Sequence, residues 1–344
     1  MKVKSSITLE RWNEGGYKEY RIPGIIVTEK GTILCCYEAR MSDSSDWAKI
    51  DIKLARSTDQ GKTFSKKIIV KGPPDRTITY NNPILIAHED SVHLIWHQDY
   101  SRAFHQVSFD DGETFSEPAD ITYAFEEFRS RYDWTVIASG PGHGIVLDNG
   151  RIIVPVWLAK GRSLVESGRV KEHFPSVVST IYSDDGGGTW HGGSIISDLD
   201  SGNETTAVQL SNGNVLLNMR HRGEPRYRGI SISPNGTDNF TKTFYDESLP
   251  DPMCFGSLCK TQGGKILFVN CANNADNARI NLTLRLSEDD CKSWTDKIAV
   301  DPVGGYADIA CSGEETVYCF YERRVPKFGK AVIEELKLCR ISLK

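Results

Sequence analysis

No apolar run in this chain approaches the roughly 18 residues that a transmembrane helix needs, and long helical periodicity is absent as well. The first six residues, Met1-Lys2-Val3-Lys4-Ser5-Ser6, carry two lysines with no apolar segment behind them. We therefore expect no signal peptide, no membrane partner and a cytoplasmic setting. No basic run is present either: Lys and Arg number 41 against 46 Asp and Glu, a net charge of −5. That balance argues against a nucleic-acid partner. It also means that an anionic ligand cannot be held by bulk charge, so any anion site must be built from a few placed arginines. The nine cysteines include no Cys-x-x-Cys pair. Their odd number points to buried free thiols in a reducing compartment rather than a disulfide framework or a zinc cluster. Cys35 and Cys36 are adjacent, and on one strand they would point to opposite faces. The eight histidines have no metal-ligand spacing, and no phosphate loop, nucleophile elbow or cofactor fingerprint occurs. We expect neither metal nor cofactor.

What is present is strand. Short β-rich runs such as Gly24-Ile25-Ile26-Val27-Thr28, Val92-His93-Leu94-Ile95-Trp96 and Ile152-Ile153-Val154-Pro155-Val156-Trp157 are bounded by turn pairs such as Lys30-Gly31 and Asn212-Gly213. The stretch from Ala124 to Tyr132 can hold one helical turn. One motif recurs, Ser-x-Asp-x-Gly-x-Thr-aromatic, beginning at Ser57, Ser108 and Ser183. A worn copy begins at Ser287 and a more degenerate one at Ser233. The chemistry suits a hairpin turn: the Asp accepts backbone N–H groups, the Gly supplies a positive φ, and the aromatic plugs between sheets. These aspartates are structural, not catalytic. In the Ser287 copy Cys291 stands where the Gly is expected, which puts that turn's geometry in question. The motif starts are spaced by 51, 75, 50 and 54 residues. A period near fifty in an all-β chain signals propeller blades. Allowing for the one long interval, we expect an all-β, six-bladed β-propeller with Asp-box turns, occupying residues 1–344 as a single domain with no appended lectin domain.

With Tyr20-Arg21-Ile22-Pro23 ahead of the Asp boxes, the chain resembles the sialidases (neuraminidases) of glycoside hydrolase family 33. The resemblance continues through Ser45-Asp46-Trp47, Gly140-Pro141-Gly142-His143, Asn203-Glu204, Leu217-Asn218-Met219-Arg220, Arg279-Ile280-Asn281, Gly305-Tyr306-Ala307-Asp308 and Tyr321-Glu322, covering roughly residues 15 to 325. It implies a retaining exo-α-sialidase acting on a sialylated oligosaccharide or glycoconjugate. By the same resemblance, Arg21, Arg220 and Arg279 clamp the substrate's carboxylate, and Glu322 steadies the first of them. Planar guanidinium forks suit that task. Tyr306 matches the nucleophile: a neutral hydroxyl is not repelled by a carboxylate on the anomeric carbon, as an Asp or Glu would be. Glu204 matches the base that takes the phenol proton. Asp46 matches the acid/base. Asp43, in the same Ser-Asp-Ser-Ser-Asp stretch, is its rival, and the spacing to Ile50-Asp51 favours Asp46. Arg40 matches a position near the ring substituents, and Asp51 is read as supporting.

Trp47, Trp134, Asn81, Asn82 and His143 lie in segments expected to reach the central face, where the aromatics would pack on an N-acyl or glycerol arm. The nucleophile segment reads Gly-Gly-Tyr-Ala-Asp, where Ser-Ala-Tyr-Ser-Asp is usual in the family. That departure leaves the reacting side chains in place and opens the question of which sugar is taken. Deaminated sialic acid and Kdo carry the same anomeric carboxylate. A catalytically silent, glycan-binding propeller is the alternative from another class, and it would predict loss of Tyr306, Glu204 or Asp46.

Overall fold

Six antiparallel sheets stand around a central channel in the computed structural model, which describes residues 1–42, 45–73, 78–165, 168–327 and 329–344. Blade 1 runs outward from the channel as Glu19–Val27, Ile33–Arg40, Ile50–Ser57 and Ser65–Val70. Blade 2 contains Tyr80–His88, Ser91–Gln98, Arg102–Ser108 and Ala119–Asp120, with Gly142–His143 added in parallel to its inner strand. Blade 3 is built on a long hairpin, Ile152–Val165 with Gly168–Ser183, flanked by Val136–Ser139, Ile145–Val146 and His191–Gly192. Blade 4 is Thr205–Gln209, Val215–Met219, Tyr227–Ser233 and Phe244–Pro250. Blade 5 is Ser257–Lys260, Ile266–Cys271, Ile280–Ser287 and Asp296–Val303. Blade 6 takes Ala307–Ser312, Thr316–Lys327 and Lys330–Ser342, and its outer strand is supplied by Lys2–Arg11. That N-terminal strand closes the ring. The only helix among the described residues is Thr122–Glu126, where one turn was expected. None is long and apolar enough to cross a membrane.

Because every blade is covered by a neighbour on each side, its middle strands are apolar on both faces and do not alternate. Ile33–Arg40 is buried at all eight positions. Cys35 faces the layer shared with Tyr318 and Phe320 of blade 6, while Cys36 faces Leu85 and Leu94 of blade 2. The two thiols do point to opposite faces.

The Asp boxes are turns with one recurring bond set. In the first, the Ser57 hydroxyl donates to Asp59 at 2.8 Å and accepts the Gly61 N–H at 2.9 Å. Asp59 also accepts the Thr63 N–H at 3.0 Å and its hydroxyl at 2.6 Å. The Ser287 copy keeps these bonds: Cys291 N–H to Ser287 at 2.9 Å and Ser293 to Asp289 at 2.9 and 2.6 Å. Cys291 takes the glycine's place by adopting φ +63° itself, so the turn is intact despite the substitution. The five box aromatics have one role. Phe64, Phe115, Trp190, Phe240 and Trp294 each enter the hydrophobic layer between their own blade and the preceding one. The sixth layer, between blades 5 and 6, has no box aromatic and is reached instead by Met1 and Val3 of the closing strand's end.

Three histidines sit in this core without charge. His93 and His105 stack, with Nδ1 and Nε2 2.9 Å apart, and His97 accepts the Ser139 N–H at 3.0 Å. Burial lowers His93 and His97 to about 3 and His105 to about 4. The unfolded chain takes up protons near pH 6.5 that the folded chain refuses. Stability is therefore fully present above pH 6.5 and is lost as pH falls toward those values. The expected loss is about 1 kcal/mol per pH unit for each such group, read as a falling urea midpoint between pH 7 and pH 5. A midpoint that is flat or rises over that interval would contradict it.

Candidate active site

Where the inner strands of the blades begin, a cavity of about 360 Å³ opens at one end of the channel. It is lined by Arg21, Asp46, Asn82, Tyr100, His173, Glu204, Arg220, Arg279 and Tyr306 among others. Residues from all six blades or their connections thus meet in one place, although they are separated by up to three hundred positions in sequence.

A bulge aims the first arginine. The pairing of Glu19–Val27 with Ile33–Arg40 slips between Arg21 and Gly24. Ile22 there has φ +58°, a conformation that costs a β-branched residue on the order of 1–3 kcal/mol. Glu322, wholly buried on blade 6, holds it. Its Oε1 accepts the Ile22 N–H and Arg21 Nε, each at 3.1 Å, and its Oε2 accepts the Tyr306 N–H at 3.1 Å. Burial works to raise the Glu322 carboxyl, but Arg21, Arg279 and these two backbone donors outweigh it and hold it below its ordinary value.

The device is repeated one blade on. Glu38 of blade 1 accepts the Asn82 N–H at 2.9 Å, and Asn82 has φ +49° ahead of Pro83. Glu38 also binds Arg40 through Nε at 2.9 Å and Nη2 at 2.6 Å. The sequence carried a signal for this that went unread: Tyr37-Glu38-Ala39-Arg40 echoes Tyr321-Glu322-Arg323-Arg324.

Tyr306 is placed where blade 6 begins. Its hydroxyl donates to Glu204 Oε1 and accepts from Arg220 Nη1 at 2.8 Å. Arg220 Nη1 donates to Glu204 Oε2 as well. The guanidinium of Arg279 lies over the Tyr306 ring, 4.9 Å from its centre, and that of Arg21 at 5.3 Å. Burial first, and then Glu204, push the Tyr306 phenol up, against the pull of Arg220, Arg279 and Arg21. The phenol therefore stays protonated until a base takes its proton, and Glu204 is in bonding contact with it. Arg21 and Arg220 each have a carboxylate partner. Among the described residues Arg279 has none, so one arm of the arginine trio is free for an incoming anion.

Asp46 occupies the other side of the cavity. Its Oδ1 lies 2.9 Å from Arg40 Nη1 and 3.6 Å from Arg21 Nη1, and its Oδ2 lies 3.8 Å from His173 Nδ1. Burial acts to raise its carboxyl, but Arg40, then Arg21 and His173, hold it well below the usual carboxylate range. Asp43, its rival, lies outside the described residues.

The remaining expectations divide. Asn82 lines the cavity. Trp47 stands at its edge, 36% exposed, against Tyr100 and His173. Arg40 is fully buried behind Asp46 and acts through it. Trp134 is a correction: it does not reach the cavity but lies in the core between blades 2 and 3. Its indole N–H is bound to the Phe125 carbonyl at 3.0 Å and its ring is covered by Arg129. Asn81 is buried and is not on the wall. His143 lines a second cavity farther along the inner strands and donates its Nδ1–H to Asp308 at 2.9 Å. Asp51 supports the fold, accepting the Tyr17 hydroxyl at 2.7 Å and the Gly72 N–H at 2.8 Å. The sequence reading missed the aromatic wall of Tyr100, Trp157, His173 and Phe174, most of it carried by the long blade 3 hairpin. It also missed Glu19 and Arg324. No group of three or more potential metal ligands occurs among the described residues.

Residues 31–303 match the BNR repeat-like domain. This class of protein is a β-propeller of Asp-box blades. The chain belongs to the sialidase (neuraminidase) family. It is 27% identical over 351 residues to a sialidase of Bacteroides fragilis, covering 89% of this chain and 60% of that protein. It is 26% identical to a sialidase of Micromonospora viridifaciens, covering 89% and 50%. The chain thus spans half to three fifths of the length of these relatives. Among solved structures, the Hadza microbial sialidase Hz136 superposes with a TM-score of 0.80 at 20% identity, covering 99% of this chain and 69% of that one. The sialidase of Trypanosoma rangeli in complex with 2,3-difluorosialic acid, a covalent intermediate, gives 0.75 at 18%, covering 99% and 59%.

Proposed function

We propose that the protein is a retaining exo-α-sialidase that releases a terminal sialic acid from a glycoconjugate through a tyrosyl-enzyme intermediate. The observation that carries this reading is the Tyr306–Glu204–Arg220 network at the base of a cavity with three arginines. The substrate's carboxylate takes the free arm of Arg279 and draws Arg21 and Arg220 into the clamp. Arg21 then shares its charge with the ligand, and Asp46 loses part of what keeps it ionised. Its carboxyl can then hold the proton that the leaving oxygen needs. Glu204 accepts the Tyr306 proton as the phenol oxygen attacks the anomeric carbon, and Arg220 steadies the developing charge. Asp46, left as carboxylate, then takes a proton from the water that displaces the Tyr306 oxygen from the anomeric carbon, and Glu204 returns its proton to that oxygen as the bond breaks. Two displacements leave the anomeric configuration unchanged.

The test is release of 4-methylumbelliferone from its α-sialoside, followed by the C3 methylene proton signals of the first-formed sugar, which distinguish its two anomers. Turnover with the α-anomer appearing first supports the reading; no turnover, or the β-anomer first, overturns it. Arg279→Met is the companion variant. Because Arg279 has no carboxylate partner among the described residues, its removal orphans no buried charge there. We expect a rise in KM of about 10- to 100-fold, the worth of a charged hydrogen-bonded contact, with a melting temperature unchanged within a degree or two.

A further inference from the structure

Above the clamp the same blade 1–blade 6 joint carries a second pair of charges that the proposed reaction does not use. Glu19 precedes Arg21 by two residues on the inner strand of blade 1, and Arg324 follows Glu322 by two on blade 6. Two residues along a strand keep a side chain on the same face and move it by about 6–7 Å. The strand continues beyond Arg21 to Ile25–Val27, which line the second cavity, so Glu19 lies on the outward side of the clamp. The first tier is Arg21 on blade 1 with Glu322 on blade 6; the second has the signs exchanged, Glu19 on blade 1 and Arg324 on blade 6. Both second-tier residues line the main cavity, with Ala331 and Ile333 beside them.

Unlike the first pair, these two do not satisfy each other. Glu19 is only 4% exposed. Its Oε1 accepts the Ile333 N–H at 2.9 Å, which fixes the carboxyl, while its Oε2 is buried with no hydrogen-bond partner. A buried acceptor in that state is destabilising until a donor reaches it. Arg324, half-buried, has neither an ion pair nor a hydrogen bond among the described residues. An acceptor and a set of donors thus face one cavity about one sugar ring outward from the anion clamp. A second carboxylate cannot be the guest, since Glu19 would repel it. A hydroxyl can, because it donates to Glu19 and accepts from Arg324 at once.

Resting on the sialidase reading above, we infer that Glu19 and Arg324 form a subsite for a hydroxyl of the neutral sugar to which the sialic acid is attached. The subsite selects glycan substrates over simple glycosides. The experiment compares kcat/KM on 3′-sialyllactose with that on 4-methylumbelliferyl sialoside, for the wild type, Glu19→Gln and Arg324→Met. Glu19→Gln can keep the Ile333 bond through its carbonyl oxygen while losing the charged acceptor. Arg324→Met removes a side chain that no described residue bonds, so it stands if the first variant does not fold. In each variant the ratio of sialyllactose to aryl sialoside kcat/KM is expected to fall about tenfold, the worth of one charged hydrogen bond. A ratio within twofold of the wild type in Arg324→Met overturns the subsite, as does an equal loss on both substrates. A wild type inert on both sialosides would instead remove the reading on which the subsite rests.

Discussion

Tyr306→Phe is expected to lower kcat/KM on 4-methylumbelliferyl sialoside by about a thousandfold or more, the scale on which deletion of a nucleophile acts. The substitution removes a single oxygen. That oxygen lies between Glu204 and Arg220, its only hydrogen-bonding partners among the described residues. Glu204 and Arg220 are already joined to each other, so losing the hydroxyl strands neither charge, and the melting temperature should move by no more than a few degrees. KM should change far less than kcat, because the arginine clamp is untouched. Activity within tenfold of the wild type in a folded Tyr306→Phe would show that another group attacks the sugar, and the proposed chemistry would fail. The phenol cannot serve unaided: burial, with Glu204, pushes it up, so a proton acceptor is required at the moment of attack. Glu204 is that acceptor by contact.

The reach of the sequence can be judged residue by residue. The repeat betrayed the blades because each Asp box spends its Ser, Asp and Thr on one turn and its aromatic on the layer between blades, a local need with a local signature. The arginines and Tyr306 were legible through the family resemblance, since each sits in a short motif of its own. What escaped depends on distance in the chain. Glu38 looks like an ordinary strand residue until blade 2 brings Asn82 to it. Glu19 and Arg324 acquire meaning only when the first and last blades meet. Trp134 misled because an aromatic in a loop-rich stretch serves equally well as a core plug, and Arg129 and the Phe125 carbonyl made it one. At Cys291 the motif looked broken, yet the bonds of Ser287 and Asp289 hold a cysteine at φ +63°. There the turn's hydrogen bonds override the residue's own preference.

The position that ties the site to the fold is Asp308, two residues past Tyr306 on the inner strand of blade 6. It is wholly buried and takes three partners from other blades: the Ile25 N–H at 2.8 Å, the Ser257 hydroxyl at 2.5 Å and His143 Nδ1 at 2.9 Å. Ile25 lies on the strand that carries Arg21, so one carboxylate locks the strand of the nucleophile to the strand of the clamp. The fit around it is close. A Cβ on Gly142, whose φ is +92°, would stand 2.9 Å from the Asp308 oxygen. Asp308→Ala would leave a buried N–H, a hydroxyl and an imidazole without their acceptor. With roughly 1–3 kcal/mol for each orphaned group and partial repair by water, we expect a loss of about 3–5 kcal/mol. For a chain of this length that is a fall in melting temperature of about 4–7 °C. Asp308→Asn keeps the shape and one acceptor oxygen and should lose about half as much. Calorimetry of the two variants reads the order directly. An alanine variant as stable as the wild type would mean that the blade 6–blade 1 joint is held by its apolar layer alone. If instead the loss appears, kcat should fall with it at temperatures where the variant is still folded, because Tyr306 and Arg21 keep their spacing only while Asp308 joins their strands.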